Sequence, residues 1–306
     1  MAKKHIRYTN DHQAELGKLL RELGYRHGLW QVFRDFVAMC AIAISNAVDK
    51  RQFAEREAEY MKIVGRYTKE EADMMARGLA HVTFGLEAGM CDFLGSLFMS
   101  LELGDAWKGQ FFTPYEVSYL MAAINMGDRA PAEIEKKGFI TLCDPCVGGG
   151  AMVIAAAHAL QDAKINYQQH MHAVAVDIDI VAVQMAYVQL SLLHIPAVVY
   201  HGNSLSVETW STWRTPAHVL GFWDVKLRRA GDAATLTVPA AQPRAKEAAE
   251  DAEAEAPAPA IEAEAEAPAP AIEAEAEAMP AAAALAPSPV PALAADINLR
   301  GQLALF

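Results

Sequence analysis

Three short apolar runs, each ending in small or polar residues, alternate with helical patterns in the middle of the chain. The runs are Phe139–Cys143, His172–Val176 and Val198–Tyr200, and the helical patterns between them are Ala151–Leu160 and Ile180–Leu193. Repeats of strand and helix fold into a parallel sheet, because each crossover helix packs back on the sheet in a right-handed sense. Ligands of such sheets bind at the carboxyl ends of the strands. The sequence therefore predicts an α/β domain with a ligand site where these runs end.

The chain before this pattern is predicted to be helical. Residues 1–113 contain no proline, and apolar residues recur every three or four positions in Leu16–Leu23, Leu29–Val48 and Phe53–Val64. This spacing is typical of amphipathic helices. We expect an all-helical region over residues 1–104, and packing or protein interaction is the plainest role for it.

The end of the chain has a different composition. From Lys246 to Phe306 it carries 12 acidic and two basic residues, so this tail holds −10 of the formal net charge of −12. An 11-residue repeat, EAEAEAPAPAI, occurs at Glu262–Ile272 with partial copies on both sides. Alanine and isolated isoleucines bury too little surface to offset the ordering entropy. We therefore expect a disordered Ala/Glu/Pro-rich linker over residues 231–301, and the nearly neutral remainder can still bind nucleic acid.

Several classes of protein are excluded by the pattern of apolar residues and cysteines. The most apolar stretch, Phe36–Val48, is shorter than the about 20 residues that cross a membrane, and the N-terminus lacks the apolar core of a signal peptide. Four cysteines are too few for a disulfide framework in 306 residues. Cys143 and Cys146 form a CxxC pair, but no second pair exists, and we expect no metal site. The expected location is the cytoplasm, with no membrane partner.

The first two runs end in a glycine-rich loop and an acidic residue. The loop is Asp144-Pro145-Cys146-Val147-Gly148-Gly149-Gly150, and Asp177 follows Asp144 by 33 residues. Glycines let the backbone approach a ligand closely, and a carboxylate after the second strand can accept hydrogen bonds from both ribose hydroxyls. A diphosphate would require exposed amides, whereas an aspartate in the loop suits an ammonium or sulfonium group. The pattern favours S-adenosylmethionine over NAD.

Four elements in order resemble those of N6-adenine DNA methyltransferases of the type I modification-subunit kind. They are GQFFTP at Gly109–Pro114, the loop at Asp144–Gly150, Val176–Asp179 and Gly202–Leu205, and together they span about a third of the chain. The resemblance implies a truncated Rossmann-like, S-adenosylmethionine-dependent methyltransferase domain.

The resemblance also implies contacts to this cofactor. In the family the FFTP segment packs on the methionine part, and here Asp144 and Gly148 would hold the methionine end, Asp177 the ribose and Asn203 the adenine. The predicted cofactor site comprises Phe111, Phe112, Thr113, Pro114, Asp144, Pro145, Cys146, Gly148, Gly150, Asp177 and Asn203.

The base-binding motif of the family is missing from this sequence. In the family an Asn/Asp/Ser-Pro-Pro-aromatic tetrapeptide follows the fourth strand and holds the flipped adenine, but this chain contains no Pro-Pro. Two interpretations stay open. In the first, Thr215, Pro216 and His218 form a divergent catalytic pocket with nearby stacking rings. In the second, the domain has lost its chemistry and the same rings cap a truncated sheet. The rings are Trp213, Phe222 and Trp223.

Basic residues near this segment have two readings. Arg214, Lys226, Arg228 and Arg229 could contact phosphates of double-stranded DNA, or they form a solvated face. No separate target-recognition region is visible, so sequence-specific reading of DNA would come from the helical region or from a specificity subunit, or the chain does not read sequence at all.

The chain ends in a short peptide that resembles a known binding motif. Gln302-Leu303-Ala304-Leu305-Phe306 matches the bacterial sliding-clamp-binding pentapeptide at four of five positions. Leu305 and Phe306 would anchor in an apolar pocket and Gln302 would add directional hydrogen bonds. Docking of this tail on its own domain is the alternative.

Together these patterns predict four parts and one function. The parts are the helical region 1–104, a methyltransferase-like domain 105–230, the linker 231–301 and a clamp-binding-like peptide 302–306. The expected function is S-adenosylmethionine-dependent adenine-N6 methylation of DNA in a bacterial or phage modification system, in the bacterial cytoplasm and near the nucleoid when the clamp is bound. The alternative is a catalytically inactive accessory or decoy protein.

Overall fold

The N-terminal part of the chain is helical, as the sequence predicts. The computed structural model describes residues 8–103, 112–127, 129–231 and 303–304. The first helices are α1 (Asp11–His27), α2 (Leu29–Val48), α3 (Phe53–Val64), α4 (Lys69–Glu87) and α5 (Phe93–Ser100). The bounds of α2 and α3 equal those expected from the apolar spacing.

Local signals in the sequence account for several helix ends. The Asn10 side chain accepts a hydrogen bond from the Gln13 amide at the start of α1, and Thr68 with Glu71 forms a capping box at the start of α4. Gly28, at φ +81°, turns the chain between α1 and α2.

Helix α2 is apolar on most of its surface because it lies inside the helical region. Its length of 20 residues and its mean hydropathy of 1.3 would suit a membrane span, but 67% of its most apolar window is buried within the protein. It is longer than the predicted apolar stretch Phe36–Val48, since the buried face continues toward its N-terminus through Val32 and Phe33. This degree of burial is typical of a helix in the core of a folded protein.

The α/β part begins after the helices and contains the predicted strand–helix repeats. Its elements are α6 (Tyr115–Met126), α7 (Arg129–Lys137), β1 (Ile140–Asp144), α8 (Ala151–Asp162), α9 (Tyr167–His170), β2 (Met171–Asp177), α10 (Ile180–Leu192), β3 (Ala197–Asn203), β4 (Glu208–Arg214), α11 (Pro216–Leu220), α12 (Trp223–Arg229) and β5 (Leu303–Ala304).

The strands form one mixed sheet in the order β4-β3-β2-β1-β5. β1, β2 and β3 are parallel, which confirms the predicted α/β arrangement, and β5 pairs in parallel with the other edge of β1. β4 runs antiparallel to β3. The four residues Ser204–Val207 between these two strands allow a hairpin, whereas a parallel crossover needs a dozen or more.

One hydrophobic core joins the helical region to the sheet. It includes Leu16 and Phe36 of the first helices together with Ile154 of α8, Val183 of α10 and Val199 of β3, all at most 1% exposed. Side chains that share a core cannot move independently without opening voids. The helical region therefore forms part of the same folded body as the α/β part.

By its internal contacts the chain divides into two units, Met1–Gln242 with Ala295–Phe306, and Pro243–Ala294. The second unit lies outside the described residues. So does the predicted linker 231–301, apart from its first residue, and the predicted part boundaries remain predictions.

Candidate functional site

A cavity of about 870 Å³ opens at the carboxyl ends of β1, β2 and β3. This is the edge at which the parallel pattern predicts a ligand, and the volume is within the range of about 300–1,000 Å³ that small-molecule sites occupy. The lining residues are Trp30, Arg34, Pro145, Cys146, Asp177, Ile178, Asp179, Ile180, Val181, His201, Gly202, Asn203, Ser204 and Leu205.

The glycine-rich loop is held against β2 by backbone hydrogen bonds. The Val147 amide donates to the Val176 carbonyl at 2.9 Å, and the Gly148 amide donates to Oδ2 of Asp177 at 2.9 Å. Gly148 has φ +53°, a conformation that favours glycine. The loop thus brings Cys146 and Asp177 to the same wall of the cavity.

A second set of contacts ties this loop to the helical region. Nε2 of Gln189 donates to the Gly149 carbonyl at 2.6 Å and to Oδ1 of Asp92 at 2.9 Å. Asp92 is buried and caps α5, since its Oδ1 accepts from the Gly95 amide. Burial raises the pKa of Asp92 above its usual range. No local pattern predicts this contact, because it depends on how α5 and α10 pack together.

Asp144 precedes the lining residues Pro145 and Cys146 in the chain but does not itself line the cavity, and one of its oxygens is unsatisfied. Its side chain is 1% exposed, and its Oδ1 accepts from the Cys146 amide at 3.1 Å. Its Oδ2 has no hydrogen-bond partner among the described residues. Burial raises the pKa of Asp144 to about 7, and the charge of Asp177 adds to this effect. A cation placed beside Oδ2 would favour the ionised form.

Asp177 orders two loops and still faces the cavity. Its Oδ1 accepts from the Asp179 amide at 2.9 Å, and its Oδ2 accepts from Gly148. A carboxylate has about four lone-pair positions, so each oxygen can accept one further hydrogen bond. Burial raises the pKa of Asp177 above its usual value.

Asn203 lies at the end of β3 and shapes the opposite wall. Its Oδ1 accepts from the amides of Leu205 at 2.9 Å and Ser206 at 3.3 Å, which forms the turn into β4. Ile178 and Leu205 expose apolar surface on the same cavity. This wall offers an amide and two aliphatic side chains to a flat ring.

The predicted FFTP residues divide into three groups. Phe111, like Gly109 and Gln110, lies outside the described residues. Phe112 packs against the loop, since a Cβ added at Gly148 would lie 2.8 Å from its ring. Thr113 and Pro114 are exposed at the start of α6 and do not line the cavity.

Gly150 also lies away from the cavity. It is buried at the N-terminus of α8 with φ +101°, and an added Cβ would lie 3.4 Å from Ala186. Its role in the described structure is close packing of α8 against α10.

The structure does not bring the predicted catalytic residues Thr215, Pro216 and His218 to the cavity. They follow β4, and because β4 is antiparallel its end lies beside the start of β3, where Arg214 pairs with Val198. This is the amino-terminal edge of the parallel strands, opposite the glycine-rich loop. The expectation rested on the family pattern, in which the base-binding tetrapeptide follows the fourth strand.

Buried hydrogen bonds occupy Thr215 and His218 at that edge. Oγ1 of Thr215 donates to the Ile195 carbonyl at 2.8 Å and caps α11. His218 is 1% exposed and contacts His172 at 2.9 Å and Asp224 at 3.2 Å. Burial lowers the pKa of His218 to about 4, so the ring is neutral near pH 7.

The tryptophans near this edge are packing residues. Trp213 is buried and lies under the Arg56 guanidinium, 3.8 Å from ring centroid to Cζ, and Trp223 is buried against Phe139. Phe222 is 72% exposed. This arrangement favours the capping interpretation for Trp213 and Trp223.

The basic residues that follow lie near the same edge. Arg214 is 3.8 Å from Asp49, Lys226 lies over the Trp223 ring, and Arg228 donates to the Asp224 carbonyl. None of these residues, nor Arg229, lines the cavity. In the described part of the chain, no group of three or more histidine, cysteine or acidic side chains is arranged to hold a metal ion.

Two side chains of the helical region line the cavity without having been predicted. Trp30 and Arg34 lie one turn apart on α2, and both reach the cavity wall. Their spacing along α2 does not distinguish them from the other residues of a core helix. Only the packing of α2 against the α/β part places them at the cavity.

Comparison with known proteins finds a similarity to methyltransferases that includes most of the α/β part. Residues 101–221, about two fifths of the chain, match the family model described as N-6 DNA Methylase. No curated protein matches the chain. Among solved structures, a provisionally assigned class I S-adenosylmethionine-dependent methyltransferase from Listeria monocytogenes is 16% identical with a TM-score of 0.36. That match covers 64% of this chain and 55%, about half, of the Listeria protein.

Proposed function

We propose that this chain is an S-adenosylmethionine-dependent methyltransferase that modifies the N6 amine of adenine in DNA. The observation that carries the proposal is the convergence of the loop at Cys146, of Asp177 and of Asn203 on one cavity, within residues that match the N-6 DNA methylase model. The order of these groups along the cavity supports a ligand with a cationic end, a ribose and a flat ring.

The unsatisfied oxygen of Asp144 fits the cationic end of this cofactor. A buried acceptor without a partner costs about 1–3 kcal/mol, and the ammonium group of a methionine moiety would satisfy it. Asp177 retains acceptor positions for ribose hydroxyls, and Asn203 lies beside Ile178 and Leu205 where an adenine ring would be held. The donor and acceptor set therefore suits S-adenosylmethionine.

The chemistry is a direct transfer. When bound, S-adenosylmethionine would supply a methyl group on a sulfonium: its transfer to adenine N6 would break the carbon–sulfur bond, leave a neutral thioether and release one proton from the amine to solvent. The residues of the chain would contribute by placing the two reactants in line. No side chain is required to form a covalent bond.

The test is transfer of labelled methyl groups to DNA. The full chain is incubated with tritiated cofactor and unmodified mixed-sequence duplex DNA, and nucleosides are then separated to locate the label. We expect label in N6-methyladenine, loss of transfer in Asp177→Ala and normal transfer in Asp73→Ala, which removes an exposed aspartate of α4. Cofactor binding by calorimetry without any transfer would refute the enzymatic proposal, and label in cytosine would refute adenine as the target.

A second candidate function follows from the reversed strand β4. Because the segment that should hold the target base lies at the opposite edge of the sheet, the chain could bind cofactor and DNA without transferring a methyl group. Such an accessory protein would show cofactor binding and no labelled DNA either alone or with a lysate of its host. Label transfer by the purified chain alone would exclude this candidate.

We also propose that the terminal peptide binds a bacterial sliding clamp. The sequence of residues 302–306 supports this proposal, and Gln302, Leu305 and Phe306 lie outside the described residues. Deletion of Gln302–Phe306 should abolish retention of the chain by an immobilised purified clamp. Retention of the deleted chain at the level of the full chain would refute the motif.

Pairing of β5 with β1 would compete with clamp binding. Leu303 lies opposite Leu142 and Ala304 opposite Cys143 in the sheet, so the same residues cannot meet a clamp at the same time. An Ala304→Cys variant should therefore be joined to Cys143 by a short thiol cross-linker, and added clamp should reduce the yield. Ala292→Cys is the matched control in the tail, and Cys146→Ser in both variants removes the exposed competing thiol.

A further inference from the structure

The wall of the cavity that comes from helix α2 carries one aromatic and one cationic side chain. Trp30 is 40% exposed, although most of α2 is buried. Among the described residues that line the cavity, Trp30 is the one tryptophan and Arg34 the one arginine or lysine. The other charged groups there, Asp177 and Asp179, are acidic.

A row of aromatic rings connects Trp30 to the glycine-rich loop. The Trp30 ring lies 5.8 Å from Phe98 between centroids, and Phe98 lies 5.4 Å from Phe112. Phe112 in turn covers Gly148 of the glycine-rich loop. The row therefore leads from the loop that would hold the methionine part to Trp30, whereas Asn203 marks the adenine end.

The same packing makes Trp30 a fixed surface. Its ring meets Phe98 edge to face, at 68°, and Phe98 is fully buried with Phe33 on its other side. A half-exposed ring held in this way loses little side-chain entropy when a flat ligand stacks on it. Arg34, one turn further along α2, extends the same wall with a planar guanidinium that suits phosphate oxygens.

The other exposed rings of the described residues are placed differently. Trp210 of β4 lies against His201 on its own strand pair, and it lines a separate hollow of about 400 Å³ with Arg56. Tyr25, Phe53, Phe84 and Phe222 line neither space. Trp30 is thus the exposed ring that shares the cavity with the loop at Cys146.

We propose that Trp30 and Arg34 form the acceptor side of the site, where Trp30 stacks on the purine base that receives the methyl group and Arg34 binds the phosphate of that nucleotide. This inference rests on the proposed function, and it assigns to the helical region the stacking role for which the chain has no Pro-Pro-aromatic motif. The ligand class is a purine nucleotide whose base has left the duplex stack.

The first experiment measures binding without turnover. The full chain is saturated with S-adenosylhomocysteine and titrated with deoxyadenosine monophosphate, and binding is followed by calorimetry and tryptophan fluorescence. Trp30→Ala should weaken binding by about 5- to 100-fold, which is the range for loss of one base–aromatic stack, and Trp30→Phe should restore much of it. Phe53→Ala, which removes a ring with the same exposure of 40% on α3, is the matched control.

The phosphate contact is tested by a change of ligand. Arg34→Gln should weaken binding of deoxyadenosine monophosphate and leave binding of deoxyadenosine unchanged. Arg77→Gln, which removes an exposed arginine of α4, should change neither. Equal losses for both ligands in Arg34→Gln would overturn the assignment of Arg34.

The outcomes separate this inference from the proposed function. Absence of nucleotide binding by the wild-type chain, or equal affinity in Trp30→Ala and Phe53→Ala, would overturn the role of Trp30. Loss of S-adenosylhomocysteine affinity in Trp30→Ala by the same factor would also overturn it, because Trp30 would then contact the cofactor. Nucleotide binding that depends on Trp30 without any methyl transfer to DNA would refute the proposed function and support the inference.

Discussion

Replacement of Asp144 by asparagine should stabilise the cofactor-free protein at pH 8. Burial raises the pKa of this carboxyl group from 3.8 to about 7. At pH 8 the carboxyl is ionised in the folded and the unfolded chain, so folding transfers a charge into the interior. The difference between the two pKa values corresponds to about 4 kcal/mol of lost stability, at about 1.4 kcal/mol per pH unit.

The sign of the pH dependence follows from the direction of the shift. Between pH 4 and pH 7 the folded chain holds a proton on Asp144 that the unfolded chain has released, so stability falls as the pH rises through this window. The same relation gives a penalty of only about 1.5–2 kcal/mol at pH 5. The asparagine variant keeps the acceptor for the Cys146 amide and lacks this titration.

The asparagine amide group carries a cost of its own. Its NH₂ replaces the unsatisfied Oδ2, and an unpaired buried donor costs about 1–3 kcal/mol. This cost does not depend on pH, so it cancels when the gain at pH 8 is compared with the gain at pH 5. The expected difference between the two gains is about 2.5 kcal/mol.

Urea unfolding of the full chain at the two pH values measures this difference. Wild type, Asp144→Asn and the exposed control Asp73→Asn are compared without cofactor, and cofactor affinity is measured by calorimetry on the same samples. The gain for Asp144→Asn should be larger at pH 8, and its cofactor affinity should fall by tenfold or more. An equal gain in the free energy of unfolding at both pH values would contradict the raised pKa of Asp144. Unchanged cofactor affinity would contradict a contact between Asp144 and the cationic end of the cofactor.

Three further changes test the packing of the fold and of the loop. Gly85→Ala should lower the free energy of unfolding by about 2–3 kcal/mol because its Cβ would lie 2.1 Å from the Phe93 ring, whereas Gly89→Ala, with no atom within 4 Å, should change it by less than about 0.5 kcal/mol in the same urea titration. Burial lowers the pKa of His218 from 6.5 to about 4, so the unfolded chain binds a proton more readily than the folded chain. The free energy of unfolding of wild type should therefore fall by up to about 3 kcal/mol between pH 6.5 and pH 4. In His218→Gln the urea midpoint should decline less steeply over the same range. Gly148→Ala should weaken cofactor binding by tenfold or more in calorimetry, because the φ of Gly148 is +53° and the added Cβ would lie 2.8 Å from the Phe112 ring. Affinity within twofold of wild type would mean that the loop accommodates the methyl group without distortion.

Much of the fold could be read from the sequence because its signals are local. The apolar runs predicted β1, β2 and β3 within a few residues, since buried parallel strands are short apolar segments with breakers at their ends. The cavity wall follows from the same reasoning, because Asp177 and Asn203, which line the cavity, end two of these strands. Both features depend on residues close together in the chain.

The length of the connection before β4 is a further local signal, and it indicates the direction of this strand. Only four residues, Ser204–Val207, separate β3 from β4, and a connection this short joins antiparallel strands. With that rule the residues after β4 would have been placed at the far edge of the sheet. The prediction of Thr215, Pro216 and His218 as catalytic rests instead on where the family's tetrapeptide follows the fourth strand.

The contribution of helix α2 could not be read from the sequence. Trp30 and Arg34 lie more than 100 residues before the loop at Cys146, and nothing in their spacing separates them from ordinary residues of an amphipathic helix. Their place on the cavity wall is set by the packing of α2 against α10, a tertiary contact that no local pattern specifies.

The antiparallel direction of β4 leaves part of the cavity wall to be supplied by helix α2. With β4 beside β3, the neighbour of β1 on its other side is, among the described residues, the two-residue strand β5. Strand β5 ends beside the loop, where Ala304 pairs with Cys143, but both of its residues are aliphatic. The cavity also has lining groups from outside the sheet, and among the described residues these include the aromatic ring of Trp30 and the guanidinium of Arg34 on α2. Because α2 shares one core with α10 and β3, its position is as fixed as that of the cofactor loop, and a rigid wall of this kind can orient a flipped base without a motif on the sheet.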